Sequence, residues 1–120
     1  VGPNMQFLTT VYPNKAIYFS EMGYPSGAAT NSSATKQKQF VGNVFASWDT
    51  LASKVKYISF YRVTDISREQ AEQIAISFWP TPSTAFIEFL QTAGLRTYPG
   101  SGTDKPAWTA LRNEARARGW

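Results

Sequence analysis

Two runs of β-branched and aromatic residues, Ala16 to Glu21 and Val55 to Val63, flank a long stretch whose apolar side chains recur with helical spacing. That order constrains the chain more than any other feature. Strands that alternate with a helix join through a right-handed crossover, so the two runs are expected to lie parallel in one sheet. In the intervening stretch Phe40, Val41, Val44, Phe45, Trp48, Leu51 and Ala52 form one apolar stripe. The stripe predicts a helix reaching about Ser53, with Ser32 or Ser33 as its N-cap.

Further helices follow from local signals. Ser67-Arg68-Glu69-Gln70 is a capping box ahead of the stripe Ala71, Ile74, Ala75 and Phe78, and Trp79-Pro80-Thr81-Pro82 stops that helix. Ser83 opens another, with Phe86, Ile87, Phe89 and Leu90 inward and Gly94 in the C′ position. Pro106 fits the first turn of a last helix running to Arg118, ended by Gly119. At the other end, Asn4 to Tyr12 reads first as a short helix capped by Asn4, with a strand as the alternative because Thr9-Thr10-Val11 is β-branched. Tyr24 to Ser33 is a loop of small and turn-forming residues.

The expected fold is therefore one α/β domain over residues 1–120, a partial (β/α) barrel-like unit with two or three parallel strands and four to five helices. Two parallel strands do not make a stable sheet by themselves. Either Asn4 to Tyr12 supplies a third strand, or neighbours come from another copy of the chain or from a larger parent protein.

Composition narrows the chemistry. With 120 residues, 42% hydrophobic and 15% aromatic, the chain can build a core. It has no cysteine and no histidine, which removes disulfides, thiolate metal sites, the usual nucleophilic triads and the commonest zinc ligand. Acid–base work falls to carboxylates. No cofactor or metal is expected. The net charge of +4 owes much to Arg112, Arg116 and Arg118 near the end of the chain, a local basic tip explained by the helix dipole and not a nucleic-acid footprint. No apolar run approaches the roughly 18 residues of a membrane span, so neither nucleic acid nor membrane is an expected partner.

Glu21 ends the first strand, followed by Met22-Gly23-Tyr24-Pro25-Ser26, and Asp65 lies just past the second. Together with Lys15 to Ser20, the helix from Gln37 to Phe45, Ile58-Ser59-Phe60-Tyr61, and a tail running Gly94-Leu95 to Lys105-Pro106-Ala107-Trp108, these residues resemble the final two βα units of a retaining TIM-barrel glycoside hydrolase. The resemblance covers nearly the whole chain and is sharpest in Glu-Met-Gly-Tyr-Pro-Ser. It implies that Glu21 is the nucleophile that forms a covalent glycosyl-enzyme intermediate. It also implies a tryptophan near the end of the last strand, where this chain has Phe60 and Tyr61, and an acid/base glutamate on an earlier strand, which these residues do not include. Hydrolysis by this chain alone is not expected, whereas weak carbohydrate binding is.

Each candidate has a plainer reading. Glu21 is the candidate nucleophile, or else a strand-end carboxylate held by the Gly23 turn or paired with Arg62 or Lys15. Asp65 is the weaker second catalytic candidate, or else serves its turn and the helix after it; Glu69 is a first-turn helix acid. Tyr24, Tyr61 and Trp79 are candidates for stacking on sugar rings, or else pack the core and rim. In the alternative reading of the whole chain, it is a stand-alone small α/β structural or interaction protein that forms a homo-oligomer through its sheet edges.

Overall fold

A computed structural model describes residues 1–120. Five α-helices and two strands follow in the order α1 (Gly2–Val11), β1 (Ile17–Met22), α2 (Ala34–Leu51), β2 (Val55–Phe60), α3 (Arg68–Phe78), α4 (Thr84–Thr92) and α5 (Pro106–Ala117). The strands pair in parallel and form the whole sheet, with Ile17 opposite Val55, Tyr18 opposite Tyr57, Phe19 opposite Ile58 and Met22 opposite Phe60. The architecture is thus the α/β unit expected, with two strands.

The Asn4 to Tyr12 region supplies a helix and no third strand. It starts earlier than its cap signal suggests: Pro3 sits in the first turn, where its missing N–H costs nothing, and Asn4 lies inside the helix. Met5 and Thr9 are its buried residues, and Met5 joins Leu51 and Val55 in one cluster. Three serines start helices as their positions predict. Ser33 Oγ accepts from Lys36 N–H at 3.2 Å, Ser83 Oγ from Phe86 N–H at 3.2 Å, and Ser67 exchanges both bonds of the capping box with Gln70. Each such cap contributes on the order of 1 kcal/mol.

The long helix α2 is the spine. Its Val41 and Phe45 meet Leu95 and Ala107, with Ile58 and Phe60 of β2 against them, and its Trp48 donates from the indole nitrogen to Val55 O at 2.7 Å. Helix α5 lies along α2, and the C-terminal Arg118 clamps them: it pairs with both carboxylate oxygens of Asp49, at 2.9 and 2.5 Å, and covers the Phe45 ring at 4.7 Å. The three arginines of the basic tip therefore divide. Arg116 alone sits in the last turn of α5, while Arg118 is held by Asp49 and Glu114 and Arg112 stands 3.9 Å from Asp104.

One face of the sheet is covered and the other is bare. Ile17, Phe19 and Ile58 pack into the cluster around Met5, whereas Tyr18 and its cross-strand neighbour Tyr57 are 65% and 50% exposed. Strand β2 is also shorter than its apolar run, stopping at Phe60 because Arg62 turns the backbone into the left-handed region at φ 55°. No helix is long and apolar enough to cross a membrane.

Candidate active-site cleft

The α3–α4 hairpin has its own small core, Ala71 and Ala75 against Ile87 and Leu90. It overhangs the C-terminal ends of both strands. Tyr61 N–H donates to Met22 O at 2.8 Å, and Gly23 leaves only 3.3 Å between the position a Cβ would take and Tyr61 Cβ, so the segments leaving β1 and β2 run in close contact. Between them and the hairpin opens a cleft of about 520 Å³. Glu21, Tyr61 and Trp79 all line it, joined by Phe78, Phe86 and Phe89.

Glu21 is exposed and forms no hydrogen bond and no ion pair; neither Arg62 nor Lys15 reaches it. Trp79 is held in place by edge-on packing against Phe86, with ring centroids 4.9 Å apart, and remains 55% exposed. Phe78 packs against both rings and is itself largely exposed. A single free carboxylate on an aromatic-walled floor is equipped to accept hydrogen bonds from a ligand whose flat apolar faces lie on the rings. The wall residues Phe78, Phe86 and Phe89 were legible in the sequence only as inward helix positions, since nothing local says which part of an apolar stripe is left uncovered.

Tyr24 is not brought to this cleft. It stacks on Phe40 of α2 at 5.1 Å, with the ring planes 23° apart. The reason is the Pro25-Ser26 loop, which turns back over α4: Ser26 N–H donates to Thr92 O at 3.2 Å and Gly27 N–H to Thr92 Oγ1 at 3.1 Å.

Asp65 has a different environment from Glu21. Its Oδ1 accepts from Lys105 Nζ at 2.6 Å, and the same ammonium donates to Ser26 Oγ at 3.0 Å and Gly94 O at 2.9 Å. Burial pushes the Asp65 carboxyl above its ordinary value of 3.8, against the opposing pull of Lys105. Gln37 of α2 completes the knot, donating to Tyr24 O at 2.9 Å and Gly94 O at 3.0 Å, while its Oε1 is buried without a donor. Gly94 is required there by crowding and not by a left-handed turn: a Cβ would fall 2.1 Å from Asp65 N. The knot joins the loops after both strands to α2, α4 and α5. The sequence offered Asp65 as an acid near a strand end; that its charge is taken up by a lysine 40 residues on was not readable locally.

Glu69 stands in the first turn of α3, where an acid complements the helix dipole. No group of three or more Asp, Glu, His or Cys side chains is arranged to hold a metal ion. Comparison with family models, with curated proteins and with solved structures finds no match to this chain.

Proposed function

We propose that this chain is a sector of a retaining glycosidase-type barrel, a fragment or truncated relative that contributes a carbohydrate-binding cleft and does not hydrolyse glycosides alone. The observation that carries the reading is the convergence of Glu21, Tyr61 and Trp79 on one cleft at the carboxyl ends of a parallel strand pair. Active sites of (β/α) barrels lie at that end. In this reading Glu21 stands where the nucleophile of the resembled family would attack the anomeric carbon.

The second half of the mechanism is missing. Retaining hydrolysis needs a general acid about 5 to 5.5 Å across the scissile bond from the nucleophile. Asp65 is the other candidate carboxylate, and it is committed to Lys105 and does not line the cleft. A glycosyl oxygen leaving group would therefore depart without a proton donor. Binding without turnover is the expected behaviour.

A panel of aryl β-glycosides tests the reading, together with NMR titration by unreactive methyl glycosides. Expected are no turnover and weak, saturable shifts at the Trp79 indole and the Gly23 amide; the indole shift is lost in Glu21→Gln, and the Gly23 shift is lost in both Glu21→Gln and Trp79→Ala. Turnover that disappears in Glu21→Gln would overturn the inactivity and support the nucleophile role.

A second reading, self-association as a stand-alone interaction protein, is favoured by one specific observation. Each strand of a two-stranded sheet has one edge without a neighbour, and the Tyr18–Tyr57 face is bare. Unpaired edges recruit strands from other chains. Sedimentation separates the readings: a concentration-dependent dimer supports edge sharing, and a monodisperse monomer argues against it.

A further inference from the structure

A second cleft, of about 300 Å³, lies between β2 and α5, remote in character from the first. Its walls are apolar: Phe60 and Ile58 of β2, Leu111 of α5, Leu95, and the indoles of Trp108 and Trp120. The tryptophans are fixed by neighbours, Trp120 against Trp48 at 4.9 Å and Trp108 beneath the Arg96 guanidinium at 5.9 Å. One cation lines this cleft, Arg62.

Arg62 is unusual in three respects. Its backbone is left-handed at φ 55°, a conformation that a long side chain adopts only when its surroundings impose it. Its guanidinium forms no hydrogen bond and no ion pair within the chain; it lies over the Tyr61 ring at 5.0 Å, with Nη1 enclosed and the side chain as a whole half-buried on the wall of the cleft. The neighbouring acid, Asp65, feels the Arg62 charge at a distance but gives its direct bond to Lys105. A guanidinium that lines a cleft and has no acceptor in its own chain is suited to a planar carboxylate or a similar anion, bound through the part of the fork that faces the cleft.

We infer that the cleft between β2 and α5 binds a small aryl carboxylate, its ring between the Trp108 and Trp120 side of the apolar wall and its carboxylate on Arg62. The size and make-up of the cleft fit such a ligand: small-molecule sites start at about 300 Å³ and combine apolar walls with a few placed polar groups. The charge selects an anion, and the apolar lining, with no carboxylate in it to accept from hydroxyl groups, favours an aryl ring over a sugar. The inference is independent of the Glu21 cleft.

Phenylpropionate and its uncharged counterpart phenylpropanol are the probes, titrated into the full chain with the indole N–H signals read by NMR. Phenylpropionate is expected to shift Trp108 and Trp120 saturably and leave Trp79 unmoved. Phenylpropanol should bind at least about tenfold more weakly, the loss of one charge-assisted pair. Arg62→Gln should lower affinity for phenylpropionate by a similar factor and leave that for phenylpropanol unchanged. Because the two probes share the phenylpropyl skeleton and differ only at the carboxylate end, their comparison on the unaltered protein decides the matter even if the variant folds poorly. Equal binding of the two, no saturable shift, or shifts confined to Trp79 would each overturn the inference.

Discussion

Two carboxylates follow neighbouring parallel strands and have come to opposite ends. Asp65 is mostly covered, with 13% of its side chain exposed, and is bonded to a buried ammonium that also holds a hydroxyl and backbone carbonyls from separate loops. Glu21 is exposed and bonded to nothing, at the mouth of an aromatic cleft. The difference teaches that position at a strand end does not set the role of an acid; the company that the fold brings to it does. Asp65 has been used to lock the loops whose positions shape the cleft, and Glu21 has been left available for a ligand.

The largest expected effect that breaks this contrast is Lys105→Met. It strands the Asp65 carboxylate in the knot, and removal of one partner of a buried pair costs about 3–5 kcal/mol. Urea unfolding should report that loss. An unchanged midpoint would mean that the knot does not hold the loops. Gly94→Ala attacks the same region through sterics: the added methyl meets the Asp65 backbone, and forcing in such a group costs about 1–3 kcal/mol. A variant as stable as the parent would show that the strand-end loop gives way freely.

The pH dependence sharpens the comparison further. Because the folded Asp65 carboxyl titrates above 3.8, the folded state keeps its proton to higher pH than the unfolded chain does. Its contribution to stability is present below 3.8 and lost as pH rises through the folded value. The stability of the parent relative to Asp65→Asn should therefore fall as pH rises across that window. A difference that rises instead would mean that Lys105, and not burial, dominates.

The smallest effect on stability belongs to Glu21→Gln, within about 0.5 kcal/mol, since an exposed side chain without partners has little to lose. Its effect should appear in binding, as the lost response of the Trp79 indole to methyl glycosides. A strongly destabilised Glu21→Gln would mean that the carboxylate is structural after all, and the contrast with Asp65 would collapse.

Much of the frame was legible. The Ser33, Ser67 and Ser83 caps, the helical stripe through Val41 and Phe45, and the two β-branched runs act over a few residues, and each produced the element expected. The boundaries that shifted did so for reasons outside the local pattern. Strand β2 stops at Phe60 although apolar character continues to Val63, because Arg62 takes a left-handed backbone and Val63 O then accepts from Arg96 N–H at 2.8 Å. Gly94 looked like a helix-ending glycine; the need it meets is close approach to Asp65 from another part of the chain.

The sequence by itself determined where strands and helices form, that the strands are parallel, and that chemistry without histidine or cysteine falls to carboxylates. Those are consequences of residue type and short-range spacing. Only the tertiary structure decided that Tyr61 and Trp79 share a cleft with Glu21 while Tyr24 turns to Phe40, that Lys105 captures Asp65, and that Arg62 is left without an acceptor. Each of those outcomes depends on which groups meet across tens of residues. Burial and charge pairing are settled by that meeting and carry no local signature.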